Sequence, residues 1–106
     1  MTESNLPISE QYRIVAKRWV DAEAAAALME DTKSAMLSQM MTKLGDMPVS
    51  RAEMQVKASP EWMEFIENMV AARKHANLLK VQIEYLRMRS SEWTSEEATK
   101  RAEMKL

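Results

Sequence analysis

The chain has 106 residues, with 15 basic and 16 acidic side chains, one histidine and no cysteine. This length predicts one small domain, and a formal net charge of −1 excludes a general basic field for nucleic acid or membranes. The absence of cysteine excludes disulfides and thiolate metal sites, and a single glycine with three prolines indicates an all-α protein, because strands need turns that favour both.

The N-terminal half predicts a short arm followed by one long helix. We expect residues 1–8 to form a mobile arm, with Ser9 as the N-cap of a helix over 10–43. Gly45 supplies the residue that ends this helix in a left-handed conformation. The first residues lack a basic stretch followed by an apolar core, and no apolar run is long enough to span a membrane, so we expect a soluble intracellular protein.

The C-terminal half contains three further start signals for helices. A capping-box pattern at Ser50 predicts a short linker helix over 50–58, and Ser-Pro at positions 59–60 predicts a long helix over 60–90. A second capping box, Thr-Ser-Glu-Glu at 94–97, predicts a C-terminal helix over 95–105, unless this helix continues the preceding one. Together these elements form a single helical domain over 9–106.

Apolar residues recur at alternating spacings of three and four along both long helices, and we call these two rows the seam. The first row is Tyr12, Val15, Trp19, Ala22, Ala26, Met29, Met36 and Met40, and the second is Trp62, Phe65, Met69, Ala72, Ala76, Leu79, Ile83 and Leu86. This pattern predicts an antiparallel, coiled-coil-like helical hairpin. Acidic residues flank the first row and basic residues the second, and the register pairs Glu30 with Arg73 and Glu23 with Lys80.

A second apolar row lies on the opposite side of the second long helix, and we call it the back stripe. It consists of Leu78, Val81, Tyr85 and Met88. A hairpin cannot bury two opposite faces of one helix, so another element must cover this row. Two covers are open: the C-terminal helix folding back through Ala98, Ala102 and Met104, or another subunit of a homo-oligomer.

Basic residues with an interleaved aromatic ring indicate a candidate nucleic-acid interface. Arg73 and Lys80 are assigned to the acidic residues of the first helix. The remaining set has no obvious acidic partner and consists of Arg87, Arg89, Trp93, Lys100 and Arg101. Cationic side chains next to stacking aromatics are typical of single-stranded nucleic-acid binding. Alternatively, Trp93 packs on Tyr12 at the open end of the hairpin.

No residue set indicates catalysis. The only histidine, His75, has basic neighbours and is interpreted as a solvated helix residue. The acidic residues form no Glu-x-x-His pair, and the chain has neither a glycine-rich phosphate loop nor a nucleophile elbow. We therefore expect a protein that is not an enzyme, with no metal, no cofactor and no small-molecule substrate.

Three segments carry a resemblance to a known group of proteins: KASPEW at 57–62, AARKHANLLK at 71–80 and EATKRAEM at 97–104. They resemble small helical proteins of tailed bacteriophages, encoded in recombination and replication gene clusters. They are also loosely similar to the recombination mediators of T-even phages. The resemblance implies a small helical oligomer in the cytoplasm of a bacterial host, which helps to load recombinase on single-stranded DNA.

These observations favour a recombination or replication accessory protein of the phage type, which oligomerises and contacts single-stranded DNA or a recombination partner. The alternative is a non-enzymatic protein-binding module, such as a phage inhibitor of a host enzyme or defence complex. A structural or assembly factor is a third possibility. The sequence fixes neither the number of subunits nor the identity of a protein partner.

Overall fold

The computed structural model describes residues 5–104, and these residues form helices with no strand among them. The helices are α1 (Ile8–Asp31), α2 (Lys33–Lys43), α3 (Val49–Lys57) and α4 (Pro60–Met104). The all-α class is thereby confirmed. The predicted mobile arm falls partly on residues 1–4, which lie outside the described residues.

The helix α1 begins earlier than predicted, and its first carbonyl acceptor is Pro7 instead of Ser9. We expected Ser9 to cap the helix, but α1 begins at Ile8. The carbonyl of Pro7 accepts hydrogen bonds from the backbone N–H groups of Glu10 and Gln11, both at 3.0 Å. The side chain of Gln11 also donates to the carbonyl of Leu6 at 2.7 Å. Pro7 therefore opens the hydrogen-bond ladder, since its fixed φ suits a helix start and it has no N–H to satisfy.

The single helix predicted over 10–43 is wrong at one residue, Thr32, which separates α1 from α2. The Thr32 hydroxyl donates to the carbonyl of Leu28 at 2.7 Å, where it competes with the backbone N–H of Thr32 at 3.0 Å. Such back-bonding distorts a helix locally. The ladder nevertheless resumes at once, because Met36 donates to the carbonyl of Thr32 at 2.9 Å.

The connection between α2 and α3 turns at Gly45, which has the predicted left-handed conformation with a φ of +87°. The following helix begins at Val49, one residue before the predicted range of 50–58, and ends at Lys57. Pro48 is its N-cap, with no capping bond from a side chain, and the Pro48 carbonyl accepts from the N–H of Ala52 at 3.0 Å. Proline again fixes the start in place of the expected serine.

The long helix α4 begins as predicted but continues much further. The Ser59 hydroxyl accepts from the N–H of Trp62 at 3.2 Å and donates to the carbonyl of Val56 at 2.6 Å, as an N-cap should. Of the two alternatives for the C-terminal region, a separate helix over 95–105 or a continuation of the helix over 60–90, the second is found, because α4 runs unbroken to Met104. Thr94, expected to cap a new helix, donates instead to the carbonyl of Ser90 at 3.0 Å within the helix.

The chain divides into two compact units where the sequence predicted one domain over 9–106. The terminal unit contains the described residues of Met1–Asp21 and Asn77–Leu106, and the central unit is Ala22–Ala76. Buried apolar residues form the core of the terminal unit: Val15, Leu79, Ile83 and Leu86. Those of the central unit are Ala26, Ala52, Val56, Trp62 and Ala76.

Every residue of the predicted seam is buried or half-buried, so the spacing correctly identified the inward faces of the helices. Within the central unit the rings of Trp62 and Phe65 stack at a centroid distance of 5.6 Å. Ala52 and Val56, which the seam did not include, are also buried there. They belong to α3, which packs against α2.

Candidate nucleic-acid interface

Trp93 lies beyond the last seam residue of α4, Leu86, on the same line of the helix, and its side chain is exposed. Leu79, Leu86 and Trp93 are seven residues apart and therefore share one line along the helix. Leu79 and Leu86 are only 8% and 6% exposed, whereas Trp93 is 59% exposed. Since α1 begins at Ile8, the row continues along α4 without further helical cover from α1. The alternative in which Trp93 is a core residue is therefore wrong.

Arg87, one of the predicted binding residues, has a partner within the terminal unit. Its Nη2 donates to the hydroxyl of Tyr12 at 3.2 Å. This hydrogen bond raises the pKa of the Arg87 guanidinium, with a minor contribution from Glu84. The sequence predicted no acidic partner for Arg87, and the partner found is a tyrosine hydroxyl, not a carboxylate.

The other predicted cations are exposed. Arg89, Lys100 and Arg101 make no hydrogen bond or ion pair with any described residue. At about 100° of rotation per residue, Arg89 and Lys100 lie within about 40° of Trp93 around the helix axis, and Arg101 lies about 80° away. The structure therefore brings Arg89, Trp93 and Lys100 to one face of α4, with Arg101 at its border and Arg87 further round.

Acidic residues interrupt this face. Residues 89–104 contain three basic and four acidic side chains, and Glu97 is half-buried close to the line through Trp93 and Lys100. Such alternation of sign weakens the attraction of the surface for a polyanion. The end of α4 is therefore a mixed polar surface with one exposed indole.

A cleft of about 580 Å³ lies beside this surface, between the start of α1 and residues 86–95 of α4. Its lining combines the Arg87 guanidinium and two apolar side chains, Ile8 and Leu86, with six hydroxyl groups. The hydroxyl groups belong to Ser9, Tyr12, Ser90, Ser91, Thr94 and Ser95, and none of the lining residues is a carboxylate. The sequence interpretation missed this cleft, because Ser90, Ser91 and the Thr94-Ser95 pair were assigned to a helix end.

A second cavity, of about 420 Å³, adjoins the first. It shares Ile8, Ser9 and Ser90 with the cleft and adds Pro7 and Trp93. The guanidinium and the exposed indole therefore border two neighbouring hollows that share three lining residues. A ligand with one charged part and one flat part can therefore place the charge near Arg87 and the flat part near Trp93.

The back stripe is uncovered in the described chain. Leu78, Val81, Tyr85 and Met88 are between 51% and 61% exposed. The first of the two predicted covers is wrong, because α4 runs straight through to Met104 and that residue is itself 85% exposed. No described part of the chain folds back onto the stripe.

The predicted ion pairing of Arg73 with Glu30 is present in the central unit. Arg73 Nη2 and Nε donate to the two carboxylate oxygens of Glu30 at 2.7 and 2.8 Å. Its Nη1 also donates to Glu23 at 2.6 Å, so Glu23, which the sequence assigned to Lys80, has Arg73 as a partner. The hydrogen bond from Arg73 holds the pKa of the Glu30 carboxyl below its ordinary value. Arg73 is thus a structural residue.

Neither metal-ligand geometry nor a membrane-spanning helix is found in residues 5–104. No cluster of three or more histidine or acidic side chains there has metal-binding geometry, and His75 is exposed. The described helices also lack any segment with the length and apolarity needed to cross a bilayer.

Comparison with known proteins returned no relative. No protein-family model, no curated protein and no solved structure matches this chain. The resemblance to phage proteins therefore stays a prediction.

Proposed function

We propose that this protein is an accessory protein of phage-type recombination or replication, which self-associates and holds single-stranded DNA at the C-terminal part of α4. The recombination setting depends on the sequence resemblance alone. The binding itself is supported by one observation: Trp93, seven residues beyond the last seam residue Leu86, is 59% exposed and lies on the same face as Arg89 and Lys100.

The scaffold in this proposal is an antiparallel hairpin of α1 and α4. Contacts within each unit support it. In the terminal unit, Tyr12 near the start of α1 contacts Arg87 of α4. In the central unit, Glu30 near the end of α1 contacts Arg73, which precedes Arg87 in α4. The inward-facing seam residues of both helices agree with this pairing.

Self-association would take place through the back stripe, with a second copy of the chain as its cover. Four large apolar side chains, each more than half exposed, form a continuous row along one helix. The row suits pairing with itself in antiparallel fashion, which places Leu78 against Met88 and Val81 against Tyr85 of the second copy. Identical rows brought together by a two-fold axis cover each other, and two-fold dimers are the commonest form of oligomer.

Single-stranded DNA would stack a base on Trp93 and place its backbone along the cations of the same face. Stacking on an exposed aromatic ring contributes about 1–3 kcal/mol per base, and it needs no particular base. The mixed charge of residues 89–104 predicts weak binding per subunit. Several copies in one oligomer then engage one strand at the same time, which raises the overall affinity.

Fluorescence anisotropy with labelled oligothymidylate tests the proposal. We expect binding at low salt that weakens as salt rises and strengthens with the length of the strand. Trp93→Ala should weaken binding, and its melting temperature should fall much less than that of Trp62→Ala, since the Trp93 ring is 59% exposed. Trp62→Ala is the matched control for destabilisation, because Trp62 is 6% exposed. No binding of long strands at low salt would refute the proposal.

A second candidate function is a protein-binding module without DNA contact. The mixed charge of the α4 end and the exposed Tyr85 and Met88 favour it, since aromatic and methionine side chains are enriched at protein interfaces. This candidate predicts no salt-sensitive DNA binding. It also predicts that Tyr85→Ala abolishes capture of a protein partner, whereas Trp93→Ala has no effect.

A further inference from the structure

We infer that the cleft beside Arg87 is a binding site for one phosphate group of a single-stranded nucleic acid, whose adjoining base lies against Trp93. The inference depends on the proposed function and adds to it a defined subsite, in which the predicted Arg87 and Trp93 are joined by hydroxyl groups that the sequence did not indicate. The arrangement that carries it is a guanidinium surrounded by hydroxyl groups in a hollow without carboxylates.

The cleft is rich in hydrogen-bond donors. Arg87 uses one N–H of Nη2 on the Tyr12 hydroxyl, so its remaining N–H groups are free to donate. Because Tyr12 accepts that bond, its own hydroxyl proton is also available. Ser9, Ser90, Ser91 and Ser95 add four rotatable hydroxyl groups. Thr94 contributes less, since its proton is donated to the Ser90 carbonyl.

These donors match a phosphate group better than any other common ligand chemistry. A phosphate needs several donors around its oxygens and a positive charge close by, and arginine meets both needs. A cation would find no carboxylate among the lining residues. A purely apolar ligand would leave the hydroxyl groups and the guanidinium desolvated without partners, which costs free energy.

The size and surroundings of the cleft fit one nucleotide unit. A volume of about 580 Å³ lies within the usual range of roughly 300–1,000 Å³ for small-molecule sites. The adjoining cavity of about 420 Å³ is lined by Ser9 and Ser90, which it shares with the cleft, and by Trp93. A phosphate at Arg87 therefore has room for its sugar and base to extend toward the indole.

The charge distribution favours the cleft over the outer face of α4 as the place for the phosphate. Arg89 and Lys100 lie among four acidic side chains of residues 89–104, and water screens all of them. Arg87 is also exposed, but it borders a cleft without carboxylates and has one acidic neighbour, Glu84. The outer cations are then left to steer the strand, and Arg87 fixes one phosphate.

Backbone amide NMR of the full chain tests this inference with thymidine 5′-monophosphate as the probe. We expect saturable shift changes centred on Ser9, Tyr12 and Ser90–Thr94, with quenching of tryptophan fluorescence. Thymidine without phosphate should give changes at least tenfold smaller at equal concentration. Inorganic phosphate should shift the cleft residues but leave Trp93 unperturbed. Equal effects of thymidine and its monophosphate would overturn the inference, and so would shifts confined to Lys100 and Arg101.

Matched variants locate the charge that is responsible. Arg87→Gln should weaken monophosphate binding at least tenfold, whereas Lys74→Gln, an exposed cation earlier on the same helix and outside the proposed binding surface, should change it less than twofold. Since Arg87→Gln also removes a contact to Tyr12, Ser91→Ala provides a milder second variant, which should weaken binding two- to fivefold with an unchanged melting temperature. Equal effects of the Arg87 and Lys74 variants, or no effect of Ser91→Ala and Arg87→Gln together, would contradict the inference.

The result also separates this inference from the proposed function. Binding of long single strands without monophosphate shifts in the cleft would overturn the cleft assignment and leave the proposed function standing. Monophosphate shifts in the cleft without binding of any strand would overturn the DNA proposal and, with it, the assignment of the cleft to a nucleic-acid strand, and would leave a site for free nucleotides.

Discussion

Two neighbouring leucines of α4 give a matched test of which face of this helix is the core. Leu79 belongs to the seam and is 8% exposed, whereas Leu78 belongs to the back stripe and is 59% exposed. Both residues lie in the terminal unit and in the same helical turn. Replacing each by alanine changes the same atoms in opposite surroundings.

The magnitudes follow from burial. Leucine to alanine removes three carbons, and at about 0.8 kcal/mol for each buried carbon Leu79→Ala costs about 2.5 kcal/mol before any cavity cost. Leu78 has roughly two-fifths of its surface covered, so Leu78→Ala costs about 1 kcal/mol, less a few tenths from the higher helix propensity of alanine. For a chain of this size the melting temperature falls by about 4–8 °C per kcal/mol.

Urea unfolding followed by circular dichroism at low protein concentration measures both variants. We expect Leu79→Ala to lose at least about 1.5 kcal/mol more than Leu78→Ala, as the burial difference predicts. At high concentration the wild-type protein should gain stability from self-association, and Leu78→Ala should lose that gain. Equal losses for the two variants in the dilute protein would refute the assignment of the seam as core and the stripe as interface.

Three further outcomes test local features. Ser59→Ala should cost about 1 kcal/mol because it removes the N-cap of α4, whereas Ser50→Ala, at the unused capping box, should stay within about 0.5 kcal/mol, as urea unfolding will show. The pKa of the Glu30 carboxyl is depressed in the folded protein, so the contribution of Glu30 to stability is complete above the ordinary pKa of 4.5 and is lost as pH falls through the folded pKa. A pH series of thermal melts should show this loss of stability, and the Glu30→Gln variant should not show it. Val81→Glu with Tyr85→Glu should give a smaller species in sedimentation without loss of helicity, and an unchanged mass would contradict the oligomer proposal.

The inward face of each long helix was predictable from sequence because burial repeats with the helix period. Every seam residue named from spacing is buried or half-buried, from Val15 to Leu86. The start of α4 was predictable for a local reason, since Ser59 and Pro60 act within one turn. Such features depend on near neighbours in the chain.

Helix boundaries elsewhere were harder to predict, because a threonine or serine hydroxyl can either cap a new helix or donate to a carbonyl one turn earlier in the same helix. Thr94 has the spacing of a cap but donates backward to Ser90 within a continuous helix, and Thr32 does the same to Leu28 at a break. The same hydrogen-bond type accompanies opposite outcomes at these two residues. Sequence patterns alone did not separate them.

The cleft could not be predicted, because its residues meet only in the folded terminal unit. Ser9 and Tyr12 are separated from Arg87 and Ser91 by most of the chain, and no local motif joins them. The exposure of Trp93 likewise depends on where α1 begins relative to α4. The sequence placed cations and an indole in the C-terminal part of α4, and their role in binding stays a prediction, but the sequence could not show which of them share a hollow.

Native mass spectrometry of the full chain mixed with oligothymidylates of increasing length tests the central claim most directly, because it measures self-association and DNA binding together. We expect complexes that carry more than one protein copy per strand, with copy number rising with strand length, and with dissociation as salt rises from about 50 to about 200 mM. A protein that stays monomeric at every concentration, together with free DNA at the lowest salt, would contradict the account.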